Sequence, residues 1–280
     1  MKRLIVNADD FGLTPGVNRA ILELSAAGLL TSATLMANAS ATMEAVERAK
    51  ESPALGVGCH VVLADGEPLM PAAEIPSLID GSSGALHATL GAFVQKLMTG
   101  RIRSEEIESE TVAQIKRIQG RGVQLTHIDT HKHTHMFPAV LRPVLRAARA
   151  CGIHTVRNPF EPEWSVRATP GAPWLRRMEV RVLRQLSDSF RRIVSEEGFA
   201  TTDGALGVLA TGTLDARTVR AIIAAMPEGT YELVTHPGYN DADLARVRTR
   251  LLASRECERD ALTALKERRD TALVSFASLA

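Results

Sequence analysis

The chain has no paired cysteines. Cys59, Cys151 and Cys257 are odd in number, widely spaced and without a CxxC arrangement, which argues against a disulfide framework or a thiolate zinc site and fits a reducing cytoplasm. It also lacks an excess of either charge. Thirty-three basic residues against 32 acidic ones leave a net charge of +1, so no nucleic acid is expected as a partner. No apolar run approaches the roughly 18 residues of a membrane span, and the first residues lack the basic segment, apolar core and cleavage site of a signal peptide. A mature start at Met1 and a cytoplasmic location are the expectation. There is no internal repeat and no Pro/Gly/Ser-rich linker, so the 280 residues, 45% of them hydrophobic, are expected to form a single domain spanning 1–280.

What the chain does have is alternation. Short apolar, β-branched runs (Leu4–Ala8, Ser32–Ala37, Leu55–Val62, Val123–Ile128, His154–Val156, Leu206–Leu209, Tyr231–Thr235 and Ala272–Phe276) are separated by helix-like segments at Pro15–Ala27, Ala41–Lys50, Ser104–Arg121, Pro138–Ala150, Ala172–Glu197, Asp215–Met226 and Arg246–Arg269. That order predicts βα units and a parallel sheet, and seven or eight largely parallel strands suit a closed or nearly closed (β/α) barrel of the α/β class. Thr14-Pro15 is an N-cap followed by proline at the first helical position, and Glu105-Glu106 place acids in a first helical turn. The stretches 64–84 and 157–173 resist assignment and are expected on the functional rim.

In such a barrel the site collects at the C-terminal strand ends. Four apolar runs there deliver Asp or His: the first ends in Asp9-Asp10, the third in His60, the fourth in Asp129-Thr130-His131, and Tyr231–Thr235 in His236. With only eight histidines in the chain, this is a pattern rather than scatter. One carboxylate with two neutral imidazoles is a ligand set for a divalent ion with an open position for water. A cation would also relieve the repulsion between adjacent aspartates, one binding it and its neighbour handling protons.

The run "THIDTHKHTHMF" would place His127, Asp129, His131, His133 and His135 on one face if fully extended, yet it would then stretch over about 25 Å and could not converge on one ion. His131, nearest the strand end, is the best ligand. His133 reads as either a second ligand or a substrate contact, His127 and His135 as structural, and Asp129 as the partner that orients an imidazole. An HxH pair, His131 with His133, would instead suit a two-metal amidohydrolase or phosphoesterase. A non-enzymatic sugar- or lipid-binding protein would have little use for this set.

The stretches "IVNADDFGLTPGVNRAI", "LTSATLMAN", "LGVGCHVVLADGEPL", "THIDTHKHTHMFP", "VRNPFEP", "TTDGALGVLATG" and "ELVTHPGYND" resemble the YdjC-like carbohydrate deacetylases, a family that includes chitooligosaccharide deacetylases and the hopanoid-associated HpnK branch. The last three look most like HpnK. The resemblance implies a distorted (β/α) barrel and metal-dependent removal of acetyl from an N-acetylglucosamine-type sugar. It implies Asp10, His60 and His131 as metal ligands, Asp9 as base and His236 as the acid that protonates the leaving amine. Either of the adjacent carboxylates could face the metal. One divalent ion is expected, zinc or magnesium first, with manganese, cobalt or nickel as alternatives. The HpnK likeness implies an N-acetylglucosaminyl hopanoid, with soluble chitooligosaccharides as the alternative substrate.

Arg157, Asn158 and Asp203 are candidate substrate contacts, since charged and amide groups can hydrogen-bond sugar hydroxyls. Trp164 and Trp174 could stack on the substrate or be buried. Within 172–197, Leu175, Met178, Val182, Leu186, Phe190 and Ile193 share one helical face, and six arginines crowd the remainder. This reads either as an outer barrel helix, its stripe against the sheet, or as a peripheral contact with the inner face of a membrane. A homodimer is the assembly carried alongside these readings.

Overall fold

A computed structural model describes residues 1–81, 83–267 and 270–279. Its elements run β1 (Lys2–Phe11), α1 (Pro15–Ala26), β2 (Ser32–Leu35), α2 (Thr42–Lys50), β3 (Gly56–Val61), α3 (Leu90–Met98), α4 (Ser104–Gln119), β4 (His127–Thr130), α5 (Pro138–Ala150), α6 (Glu163–Ala168), α7 (Trp174–Leu183), α8 (Ser187–Glu196), β5 (Gly204–Leu206), α9 (Ala216–Ala225), β6 (Gly229–Thr235), α10 (Ala253–Ala261) and β7 (Thr271–Leu273). All strands pair in parallel, in the order β4-β3-β2-β1-β6-β5, and β7 adds to the first residues of β1. The sheet curls into a barrel that residues 154–160 help close. Val156 pairs with Ile128 of β4, Thr155 with Ala200, and the Ala205 amide of β5 donates to Phe160 O.

Local chemistry sets the element ends. The Thr14 hydroxyl accepts the Val17 amide and Pro15 opens α1, while Asp215 accepts the Thr218 amide to start α9. Among the strands, β1 is buried from Leu4 onward because the curled sheet meets the surrounding helices on its outer face and the packed interior of the barrel on its inner one.

Several expected boundaries move. The strand expected at 123–128 is β4, shifted to begin at His127. His154–Val156 forms only isolated bridges. The expected helix 172–197 is two helices separated by a 3-10 turn at Arg184–Leu186. The expected helix 246–269 contains the shorter α10 followed by a 3-10 run, with Arg268 and Arg269 outside the described residues. The irregular stretch 157–173 contains α6, and α3 was not expected at all.

One glycine is required by packing. A Cβ on Gly58 of β3 would lie 2.5 Å from His127 Cε1, because the His127 ring covers this strand while stacking on Phe276 at 3.8 Å between centroids. Gly58→Ala should therefore destabilise the fold by about 1–3 kcal/mol in urea unfolding, and His127→Ala in the same chain should recover much of the loss.

Candidate active site

Successive residues of a regular strand point to opposite faces, so Asp9 and Asp10 could not both face one site from an unbroken β1. The strand is not regular there. Ala8 pairs with Ala33 but Phe11 pairs with Leu35, so one extra residue is accommodated between them. Asp10 takes the left-handed conformation, φ 66°, one that aspartate tolerates better than most residues. This bulge turns both carboxylates inward, at a local backbone cost of about 1–3 kcal/mol. Gly12 follows at φ 97°, its amide held by Asn18 Oδ1 at 2.7 Å.

Asp10 Oδ1 lies 3.6 Å from His60 Nε2 and 3.5 Å from His131 Nδ1, and those two nitrogens are 3.3 Å apart. Ligands bound tetrahedrally at about 2.0–2.1 Å stand about 3.3–3.4 Å from one another. The three donor atoms thus have the spacing of a metal site, and Asp10 Oδ1 is buried with no hydrogen-bond partner among the described residues. A second Asp/His group, Asp9, His60 and Asp129, fits an ion poorly, because the Arg157 guanidinium already occupies both carboxylates.

Asp129 Oδ1 bonds His60 Nδ1 at 2.8 Å, which leaves Nε2 directed at Asp10. Burial disfavours a proton on His60, but Asp129 and Asp9 outweigh it and push the imidazole up to about 9. A bound cation would compete with that proton.

Arg157 is the centre beneath the site. Fully buried, it donates to both oxygens of Asp9 at 2.9 and 2.6 Å and to Glu232 at 2.8 Å, and it pairs with Asp129. Burial alone would raise the Asp9 carboxyl; Arg157, His60 and His236 hold it far below the usual carboxylate range. Glu232 moves the other way, pushed up to about 7 by burial despite Arg157. Among the described residues, five buried acids (Asp9, Asp10, Asp129, Glu232 and Glu258) meet two buried arginines there, Arg157 and Arg255. Even with Glu232 protonated, four carboxylates exceed two guanidiniums, an excess that a divalent ion displacing the His60 proton would balance.

His236 leaves β6 with Nε2 3.7 Å from Asp9 Oδ2 and Nδ1 3.5 Å from Glu258 Oε2. Burial opposes its proton, yet Glu258, Asp9 and Asp10 raise its affinity above the ordinary imidazole value. From the same helix as Glu258, Arg255 Nη2 donates to Asp10 Oδ2 at 2.5 Å, so that oxygen is engaged while Oδ1 faces the imidazoles.

The other expected contacts are placed differently. The run after β4 is not extended: Lys132 and His133 are left-handed, at φ 57° and 53°, and turn the chain sharply. His131 joins a candidate metal group with Asp10 and His60, and no such group among the described residues holds both His131 and His133. Arg157 lies beneath the aspartates rather than open to substrate. Asn158, also buried, donates to Thr202 O and accepts the Phe160 amide, a structural role. Asp203 precedes β5 at the opposite, N-terminal end of the barrel, where its carboxylate accepts the Thr230 amide. Trp164 packs edge-on against Tyr231, whereas Trp174 is 70% exposed. Sequence reading missed Glu232, Arg255 and Glu258. Only Glu232 left a clear trace, an acid within the apolar run "YELVT".

Residues 3–271 match the family described as YdjC-like protein. The chain belongs to the YdjC-like family. Over 267 residues it is 29% identical to a carbohydrate deacetylase of Thermoanaerobacter pseudethanolicus, covering 94% of this chain and 91% of that one. A human carbohydrate deacetylase is 31% identical over 85% of this chain and 75% of its own length. A Brevibacillus brevis carbohydrate deacetylase is 45% identical over 158 residues, and there the match spans 56% of this chain and 60% of the relative. Among solved structures, a proposed cellobiose-phosphate cleavage protein of Enterococcus faecalis superposes with a TM-score of 0.76 at 27% identity, covering 100% of this chain and 99% of that one. A Thermus thermophilus lactam utilization protein shares the fold, with a TM-score of 0.54 at 15% identity over 98% of this chain and all of the other.

Burial drives three histidines of this YdjC-like chain far from their ordinary titration, His127 and His133 down to about 3 and His135 down to about 4. All three stay neutral in the fold while the unfolded chain protonates below about pH 6.5. Their contribution is thus present above pH 6.5 and lost as pH falls toward 4, by about 1.4 kcal/mol per pH unit for each. Thermal melts across this window should show the decline, with a shallower slope in His127→Phe.

Proposed function

We propose that this YdjC-like protein is a metal-dependent carbohydrate deacetylase that hydrolyses the acetamide of an N-acetylglucosamine-type sugar. The convergence of Asp10 Oδ1, His60 Nε2 and His131 Nδ1 at 3.3–3.6 Å carries this reading, together with the names of the relatives. A chitooligosaccharide deacetylase of Salmonella typhimurium, 38% identical over 177 residues, adds support for the sugar class.

A divalent ion in this position supplies a Lewis acid for the acetyl carbonyl and lowers the pKa of water toward about 7. Asp10, His60 and His131 would hold it, zinc or magnesium first, with manganese, cobalt or nickel as alternatives. Asp9, held in position by Arg157, would accept the proton of the attacking water. His236 donates a proton to the amide nitrogen as the C–N bond breaks, so the products are acetate and a free amine. His133, which is only partly buried, is the remaining candidate for a sugar contact.

Metal-loaded protein should release acetate from N-acetylglucosaminyl substrates, lose that activity on chelation and regain it on readdition. Asp10→Ala and His131→Ala should abolish it, and Asp9→Asn should lower it about 10²–10⁴-fold. Absence of acetate from every N-acetyl sugar tested would refute the proposal.

The substrate we favour is lipid-linked, an N-acetylglucosaminyl hopanoid deacetylated at the inner face of a membrane, with soluble chitooligosaccharides second. Beyond the likeness of "VRNPFEP", "TTDGALGVLATG" and "ELVTHPGYND" to the hopanoid-associated branch, α7 supports it. This helix docks through Val180 onto Val166 and Leu209 and leaves Trp174, Leu175, Met178 and Val182 exposed among arginines. The stripe expected to be continuous thus splits: α8 buries Phe190 and Ile193 as a barrel helix, while α7 turns its part outward. Arg176 reaches Val208 O in the same loop whose Gly212 amide bonds Glu258, a link between α7 and the site that supports this reading. No described helix is long and apolar enough to cross a membrane, so contact would be peripheral.

Trp174→Ser with Leu175→Ser, or Arg176→Glu with Arg181→Glu, should abolish cosedimentation with vesicles containing anionic lipid. Binding unchanged by both pairs, or a homodimer that occupies this face in sedimentation equilibrium, would remove the membrane contact.

A further inference from the structure

His236 has two ring nitrogens with different surroundings, and the difference traces to one residue of α10. Its Nδ1 is buried, and the charged group facing it is Glu258 Oε2, 3.5 Å away. The same carboxylate oxygen accepts the His236 backbone amide at 2.6 Å, and Oε1 accepts the Gly212 amide at 3.1 Å. Glu258 is itself 1% exposed, so these partners rather than water satisfy it. An unprotonated Nδ1 would set its lone pair against a buried carboxylate, which is unfavourable in low dielectric. A proton on Nδ1 turns the same contact into an attraction and leaves Nε2 facing Asp9.

The helix that brings Glu258 is locked to this strand end by independent contacts. Gly238, two residues beyond His236, donates its amide to Arg255 O at 3.3 Å, and a Cβ there would lie 3.0 Å from Arg255 Cδ. Arg255 and Glu258 are three residues apart, on one face of α10.

We propose that Glu258 is a positioning residue for deacetylation: it holds the His236 ring in place and selects its Nδ1–H form, so that Nε2 is the nitrogen that exchanges a proton with the leaving amine. This rests on the deacetylase reading of the site. Glu258 does not touch substrate. It acts through the imidazole, as a carboxylate orients a histidine in hydrolytic triads.

The test separates proton delivery from folding. Full-length, metal-loaded wild type, Glu258→Ala, Glu258→Asp and His236→Ala are compared on an N-acetylglucosaminyl substrate and on p-nitrophenyl acetate, whose leaving group needs no proton. Glu258→Ala should lose on the order of 100-fold in kcat on the sugar, with KM little changed, and less than about threefold on the ester. Glu258→Asp should recover part of the loss, and adding Glu258→Ala to His236→Ala should cost nothing more. Imidazole ¹⁵N spectra should assign neutral His236 to the Nδ1–H form in wild type and to a mixture in Glu258→Ala. Equal losses on both substrates, a further drop in the double variant, or an unchanged tautomer would overturn the role. If wild type releases no acetate from sugars, the deacetylase reading fails on that measurement, and the tautomer spectra still decide whether Glu258 controls His236.

Discussion

The candidate site depends on one guanidinium. Arg157 sits with no solvent exposure beneath the aspartates and satisfies Asp9, Asp129 and Glu232 at once. Breaking a buried pair by removing one partner typically costs about 3–5 kcal/mol, and here a single removal would strand several carboxylates. This constraint orders what lies above it. Asp9 stays ionised, Asp129 is fixed where it can orient His60, and Asp10 is left free of Arg157 to face the imidazoles.

Around that centre, two devices divide labour between adjacent aspartates that would otherwise repel. The bulge in β1 turns both side chains inward, and separate arginines then take them. Arg157 holds Asp9 from beneath, and Arg255 holds one oxygen of Asp10 from α10. Only Asp10 retains an oxygen directed at His60 and His131. Strain at Asp10, the buried negative excess and the unpartnered oxygen are therefore aspects of one arrangement, suited to a cation and costly without compensation.

The same rim joins chemistry to surface. The loop after β5 touches Glu258 through Gly212 and α7 through Val208, so a single loop contacts both the exposed apolar helix and the carboxylate beside His236. For a lipid-linked sugar this arrangement would shorten the path from bilayer to site. For a soluble oligosaccharide, α7 would have no such purpose, which is why the substrate question and the docking question belong together.

Much of this was legible in sequence, because parallel strands buried on both faces read as short apolar runs and their C-terminal ends gather the polar residues. By that logic the chain by itself determined the α/β barrel class and brought forward Asp9, Asp10, His60, His131 and His236. Family likeness sharpened the chemistry. Long-range pairing was not legible: Arg157 reads as a loop arginine until the fold sets it under three acids, and Arg255 and Glu258 look like members of a solvated charged helix. Nor does a sequence show which half of an amphipathic stripe will be buried, since α7 and α8 have the same periodicity and differ only in what they pack against. Spacing along the chain determined which residues reach the barrel rim; the convergence of distant charges, and the left-handed turn at Asp10 that aims its carboxylate, were decided only by tertiary structure.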